Sequence, residues 1–235
     1  MMKDLSKLED KLGIIFKDKN LLQQAFVHRS FLNENPDFGL EHNERLEFLG
    51  DAVLELVVTK YLYSNYPNPE GELTNWRAAL VNAKKLAEIA EAISLNDFLM
   101  LSRGEAKDMG RARQYILANT MESLIGAIFL DQGIEAAGEF IAKNILSHLS
   151  EILNAGAYRD AKSLFQEEAQ DRVGITPSYE VLKEWGPDHA KHFNVGVYLD
   201  DELVAEGEGI SKQDAQQKAA EAALTAKGWN GGNGK

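Results

Sequence analysis

The chain has 235 residues, a formal charge of −12 and no cysteine, so neither disulfides nor thiolate zinc sites are open to it. Its 44% hydrophobic and 26% charged residues are an ordinary globular composition, and no run approaches the roughly 18 apolar residues of a membrane span. The charged start MMKDLSKLEDKLG lacks the apolar centre of a signal peptide, so a cytoplasmic protein without membrane attachment is expected.

From Leu5 to about Leu153 apolar residues recur at helical spacing. LLQQAFVHRSFL, ERLEFLGDAVLELVVTKYLYSNY, LTNWRAALVNAKKLAEIAEAI, ILANTMESLIGAIFLDQG and GIEAAGEFIAKNILSHLSEIL each read as one helix. Pro, Gly and Asn break the pattern at NENPDFG, YPNPEGE and LSRGEAKDMG. An all-α domain over residues 1–154 is expected. A linker over 155–159 follows, where NAGAYRD interrupts the pattern. Residues 161–171 read as helix, PSYEVLKEWG as a strand, HFNVGVYLDDELVAEGEG as a hairpin and SKQDAQQKAAEAALTAKG as a last helix. An α+β domain of order α-β-β-β-α is therefore expected over 160–227. The Gly- and Asn-rich stretch 228–235 is expected to be a disordered tail.

Negative charge is spread over both parts. Residues 1–154 carry 16 basic against 23 acidic side chains, and residues 155–235 carry 9 against 14. Phosphate contacts need Lys and Arg, so a polyanionic partner would have to be met by local basic clusters or bound cations.

HNERLEFLGDAVL, residues 42–54, concentrates that tension. At 100° per residue Glu44, Glu47 and Asp51 fall within an arc of about 60°. Leu46, Leu49, Val53, Leu56 and Val57 form the opposite, core-facing stripe, and Gly50 at its edge suits close helix packing. Such an acidic arc is either a solvated face or a cation site, since like charges repel unless a cation joins them. Between Arg113 and Asp131, Glu122 is the only charged residue, with Asn119 and Gly126 on its side of the helix. A carboxylate in so apolar a segment needs a distant Arg or a metal. Glu70 and Glu72 follow in NPEGEL. Oxygen ligands without His or Cys favour Mg²⁺ or Mn²⁺ and, with them, phosphoryl-transfer chemistry. Phe48 falls on the acidic side, as a local packing residue or a contact to another subunit.

HNERLEFLGDAVL resembles the signature of ribonuclease III. LLQQAFVHRSFLNE, PEGELTNWRAALV, LSRGE and ANTMESLIGAIFLDQG agree with that family in order, and SLFQEEAQ, GPDHAKHF and GEGISKQDAQQKAAEAAL resemble a double-stranded RNA-binding domain. The resemblance implies a homodimeric, Mg²⁺-dependent endoribonuclease, with Mn²⁺ as a substitute, that processes ribosomal, transfer and messenger RNA precursors. It would cut double-stranded RNA to 5′-phosphate and 3′-hydroxyl ends. It implies metal binding and catalysis by Glu47, Asp51 and Glu122, with Glu44 and Glu70 as accessory acids near the same site. Phe48 takes the position of the family's dimer contact. Gln166 and His189 take positions that reach minor-groove edges and 2′-hydroxyls. Ser211, Lys212, Gln213 and Lys218 stand where the last helix meets phosphates. One departure is plain: the position of Asn119 is usually Asp in this family. An amide still offers a carbonyl oxygen to a metal but carries no charge. That leaves a tolerated variant, an introduced substitution, or a catalytically impaired double-stranded RNA-binding protein as the alternatives.

Overall fold

The computed structural model describes residues 4–108, 110–155, 161–187 and 191–229. Two compact units divide the chain, Met1–Tyr158 and Arg159–Lys235. Most of the expected linker, all of the tail beyond Trp229, and His189 lie outside the described residues.

The regular elements of the first unit, among its described residues, are helices joined by loops. Its helices are α1 (Ser6–Leu12), α2 (Lys19–Gln24), α3 (Arg29–Glu34), α4 (Glu44–Asn65), α5 (Glu70–Val81), α6 (Ala83–Ala92), α7 (Arg111–Gln132), α8 (Ile134–Asn144) and α9 (Leu149–Ala155). Helix α7 runs through the middle of the core: Leu117, Met121, Leu124, Ile125 and Ile128 are buried in one cluster with Leu46, Val53, Leu54 and Val58 of α4. Among the described residues no helix is long and apolar enough to cross a membrane.

Three of the segments expected as single helices are broken, two of them by a local polar side chain. Between α2 and α3, Val27 forms an isolated parallel bridge with Met100, and the His28 side chain accepts the Ser30 N–H at 3.3 Å, restarting the helix. Between α5 and α6, Asn82 turns extended (φ −69°, ψ 153°) and its Oδ1 accepts the Lys85 N–H at 2.9 Å, an N-cap in mid-segment. The third break, after Asn144, passes through a 3-10 turn at Leu146–His148 before α9. On α4 the expected core stripe needs one correction. Leu46 and Val53 are buried and Leu49 and Val57 pack against the core, but Leu56 is 60% exposed, and the fully buried Leu54 and Val58 complete the inner face.

The second unit has the expected order: α10 (Ala161–Val173), β1 (Ser178–Trp185), β2 (His192–Leu199), β3 (Glu202–Gly209) and α11 (Lys212–Lys227). The sheet is antiparallel in the order β1-β2-β3. Alternation along β2 sends Val195, Val197 and Leu199 inward, and Val197 and Leu199 pack with Phe165 of α10 and with Ala219, Ala220 and Ala223 of α11. Glycine sets how closely α11 approaches: a Cβ on Gly207 would lie 2.2 Å from the Ala219 nitrogen.

Candidate active site

The geometry of the acidic group follows from one helix crossing. A Cβ on Gly50 of α4 would lie 1.7 Å from the Glu122 carbonyl oxygen, and one on Gly126 of α7 would lie 2.3 Å from the Leu46 carbonyl oxygen. The two backbones touch where neither has a side chain. Glu47 and Asp51, on either side of Gly50, are thereby drawn to Glu122, one turn before Gly126.

A buried polar link fixes the crossing at its end. Asn43 is 4% exposed; its Nδ2 donates to the Ala25 carbonyl at 3.2 Å and its backbone N–H to the Val27 carbonyl at 2.9 Å. Its own carbonyl accepts the Glu47 N–H at 2.9 Å and the Ser123 hydroxyl at 3.3 Å. Asn43 and Ser123 thus tie the start of α4 to α7 beside the two glutamates. Sequence reading assigned neither a role. A polar residue buried within the signature run was the available signal.

Glu122 is half-buried and neither hydrogen-bonds nor ion-pairs with a described residue. Burial, and then the nearby carboxylates of Asp51 and Glu47, push its pKa up to about 8. Glu47 is also pushed up, first by burial, then by Glu44 and, less, by Asp51, while the Asn119 amide pulls it down. Glu47, Asp51, Asn119 and Glu122 therefore form one electrostatic group. Among the described residues no arginine pairs with Glu122: Arg113, the buried guanidinium of α7, donates to the Asp108 and Glu105 carbonyls and to Asn96 instead. Among the described residues, no three acidic or histidine side chains are drawn together as a ready metal-binding set. The carboxylates stand as mutually repelling neighbours.

The accessory acids separate. Glu44 is exposed at the rim, 3.6 Å from Arg29 and 3.8 Å from the His42 ring nitrogen. Glu70 does not join the group within this chain. It starts α5 and lines a cavity with Thr59 and Tyr63, twelve residues beyond Glu47 and so about 18 Å along α4. The YPNPEGE turn that sends the chain back at the far end of α4 is the reason. Phe48 is 81% exposed, so it serves no local packing.

In the second unit Gln166 is exposed on α10. Ser211 caps α11 by accepting the Asp214 N–H at 3.1 Å, with Lys212 and Gln213 exposed in the first turn. Lys212 also lies over the Phe193 ring, 5.7 Å from its centroid. Lys218 is committed to Asp214 at 3.1 Å; that bond, with the Ile210 N–H, holds the Asp214 carboxyl below its usual range. Lys212 is thus the cation of α11's first turn, and Lys218, one turn on, is already paired.

Both units match known protein families. A family model described as ribonuclease-III-like matches residues 18–149, and one for the double-stranded RNA binding motif matches residues 161–226. A protein named Ribonuclease 3 from Protochlamydia amoebophila is 46% identical over 219 residues, covering 93% of this chain and 90% of the relative. Another from Pelotomaculum thermopropionicum is 45% identical over 221 residues, 94% of this chain and 92% of the relative. The solved nuclease domain of ribonuclease III from Campylobacter jejuni is 43% identical with a TM-score of 0.56, covering 61% of this chain and 97% of that domain. The chain belongs to the ribonuclease III family and is a double-stranded RNA endoribonuclease, with a helical nuclease domain followed by a double-stranded RNA-binding domain.

Proposed function

We propose that Glu47, Asp51 and Glu122, with the Asn119 carbonyl oxygen, hold Mg²⁺ or Mn²⁺ against the backbone of an RNA duplex. The observation that carries this is Glu122, a half-buried carboxylate without a basic partner, facing two more carboxylates and pushed up to about 8. An all-oxygen donor set lacking His and Cys suits a hard cation. The bound ion would supply an activated water and charge neutralisation at the scissile phosphodiester.

The chain's own contribution is placement. The glycine crossing holds Glu47 and Asp51 against Glu122, and Asn43 and Ser123 fix the register of the two helices. Asn119 lowers the Glu47 pKa and so favours its anionic form. Glu122, held protonated by burial and by its carboxylate neighbours, would give up that proton to become a ligand where a hard cation bound. Glu44 flanks the group at the rim. The products are 5′-phosphate and 3′-hydroxyl ends. Gln166, Ser211, Lys212 and Gln213 present the duplex-facing side of the second domain, reading shape more than sequence.

The working unit is a homodimer. Phe48, Leu56 and Tyr63 are 81%, 60% and 80% exposed about two turns apart along α4, apolar side chains that a monomer would leave in water. The same face ends in a cavity of about 640 Å³ lined by Leu62, Tyr63, Tyr66 and Leu73. A protrusion and a hollow on one helix face are self-complementary under a two-fold axis. The Campylobacter domain is itself described as having a region involved in dimer formation.

Incubating the full chain with a long RNA duplex in Mg²⁺ or Mn²⁺ tests the reading. Short duplex products with 5′-phosphate ends are expected. Intact RNA in both metals, with the duplex retained in a gel-shift assay, overturns it. The catalytically impaired alternative requires cleavage to appear only after Asn119→Asp.

A further inference from the structure

A second cavity of the first unit, of about 530 Å³, lies between α2, α3 and the loop over 35–40. Phe31 and Phe38 form its aromatic wall, packed edge to face with centroids 5.0 Å apart and planes at 87°. Its polar lining is Asn20, Gln23, Asn35 and Asp37, and no Lys or Arg contributes. Gln23 is the anomaly. The residue is only 6% exposed, and its carboxamide, which hydrogen-bonds with no described residue, is not fully enclosed and so opens onto the cavity. Buried carboxamides ordinarily have their donors and acceptor paired, so this one faces a cavity with unmet capacity. Asn35 spends one amide hydrogen on the Phe31 carbonyl at 2.9 Å, leaving its carbonyl oxygen available.

The chemistry excludes a phosphate, which would meet the Asp37 carboxylate and no cation. An aromatic wall beside carboxamides and one carboxylate matches the flat face and hydrogen-bonding edge of a nucleobase. We propose that this cavity receives one unpaired, amino-bearing nucleobase of an RNA substrate, guanine being the best match. The base would stack on one of the two perpendicular rings and meet the other edge-on, Gln23 would donate to its carbonyl, and Asp37 would accept from its amino and imino hydrogens. Uracil has two carbonyls and no amino group, so it would set an oxygen against Asp37. The proposal rests on the RNA-cleaving reading. Helix α3, which carries Phe31, begins at Arg29 on Glu44 and is six residues long, about 9 Å. A base held there belongs to a bulge, loop or single-stranded flank close to the cut.

The test is fluorescence-anisotropy binding of the full chain with Ca²⁺ in place of Mg²⁺, so that oxygen ligands are loaded while the RNA stays intact. The RNAs are a blunt duplex and the same duplex bearing a guanine or a uracil flank. Gln23→Leu keeps the buried volume, and a thermal melt checks its fold. Expected is a preference of at least about fivefold for the guanine flank, lost in Gln23→Leu while blunt-duplex affinity is unchanged. Equal affinity for the two flanks overturns the proposal. So does a cavity that binds GMP alone, by NMR shifts at Phe31 and Phe38, without any flank preference, since the ligand is then a free nucleotide. Absence of binding even to the blunt duplex would overturn the double-stranded RNA reading, and this proposal with it.

Discussion

Without a cation, Glu122 keeps its proton at neutral pH, and the sign of the resulting pH dependence is fixed. Its folded pKa of about 8 stands above the ordinary 4.5, so between those values the folded chain binds the extra proton. Stability of the metal-free protein therefore falls as pH rises through this window, and the loss is complete above about 8. Glu122→Gln removes it. After discounting for the part of Glu122 that water screens, the variant should be more stable than the parent by about 1–2 kcal/mol above pH 8, and by little below pH 5. Urea denaturation in chelator at the two pH values measures the difference, and a pH-independent gap refutes the assignment. The same variant should lose cleavage, since it trades a carboxylate for an amide. Asn119 is the reciprocal case. Its amide pulls Glu47 down, whereas an Asp would add repulsion and push it up. Asn119→Asp should destabilise the metal-free protein and bind Mn²⁺ about tenfold more tightly, because ligand charge count sets affinity for hard cations. Calorimetric titration with Mn²⁺ checks this, and unchanged affinity removes Asn119 from the ligand set.

Helices α4 and α7 act as one unit because Gly50 and Gly126 let their backbones meet. Gly50→Ala places a methyl 1.7 Å from the Glu122 carbonyl oxygen, which only helix separation relieves. It should cost about 3 kcal/mol or more, read as a lowered denaturation midpoint, and residual folded protein should cleave poorly because Glu122 has moved from Glu47. A midpoint equal to the parent's would show that the crossing is not rigid. This crossing was half legible in the sequence: 3.6-residue periodicity put Glu47 and Asp51 on one side of α4 and marked Gly50 as a packing position. Where helices stop inside a continuous apolar pattern was not legible, because the breaks are single polar side chains, His28 and Asn82, that compete for backbone N–H groups without altering the periodicity. Leu56 was misassigned because a wheel counts apolar residues alike and cannot say which face meets another helix. The separation of Glu70 from Glu47 depends on the direction of the chain after YPNPEGE, a tertiary fact that spacing does not carry. Ser123 escaped notice for the same reason, since its partner is the carbonyl of Asn43, 80 residues earlier.

For the whole molecule, a charge of −12 must be reconciled with a polyanionic substrate. On α11 Lys218 is already neutralised by Asp214 and Lys227 by Glu202, which leaves that helix its N-terminus and Lys212 as cationic elements. On the proposed reading a cation-loaded acidic group in the first domain would supply the remaining attraction, and pairing two chains would double both the acidic sites and the duplex-reading surfaces offered to one RNA. Avidity of that kind raises apparent affinity without any new contact. It depends on Phe48, the most exposed large apolar side chain of α4. Phe48→Ala removes an aromatic anchor, whose truncation at the centre of an interface costs at least about 2 kcal/mol, or roughly a thirtyfold rise in dimer dissociation constant. Sedimentation across a dilution series should show the variant dissociating at concentrations where the parent stays dimeric, with its thermal melt otherwise preserved because Phe48 is 81% exposed in its own chain. Duplex affinity should fall in step with the dimer fraction. A Phe48→Ala variant that stays dimeric to the same dilution would mean that the α4 stripe is not the contact between subunits.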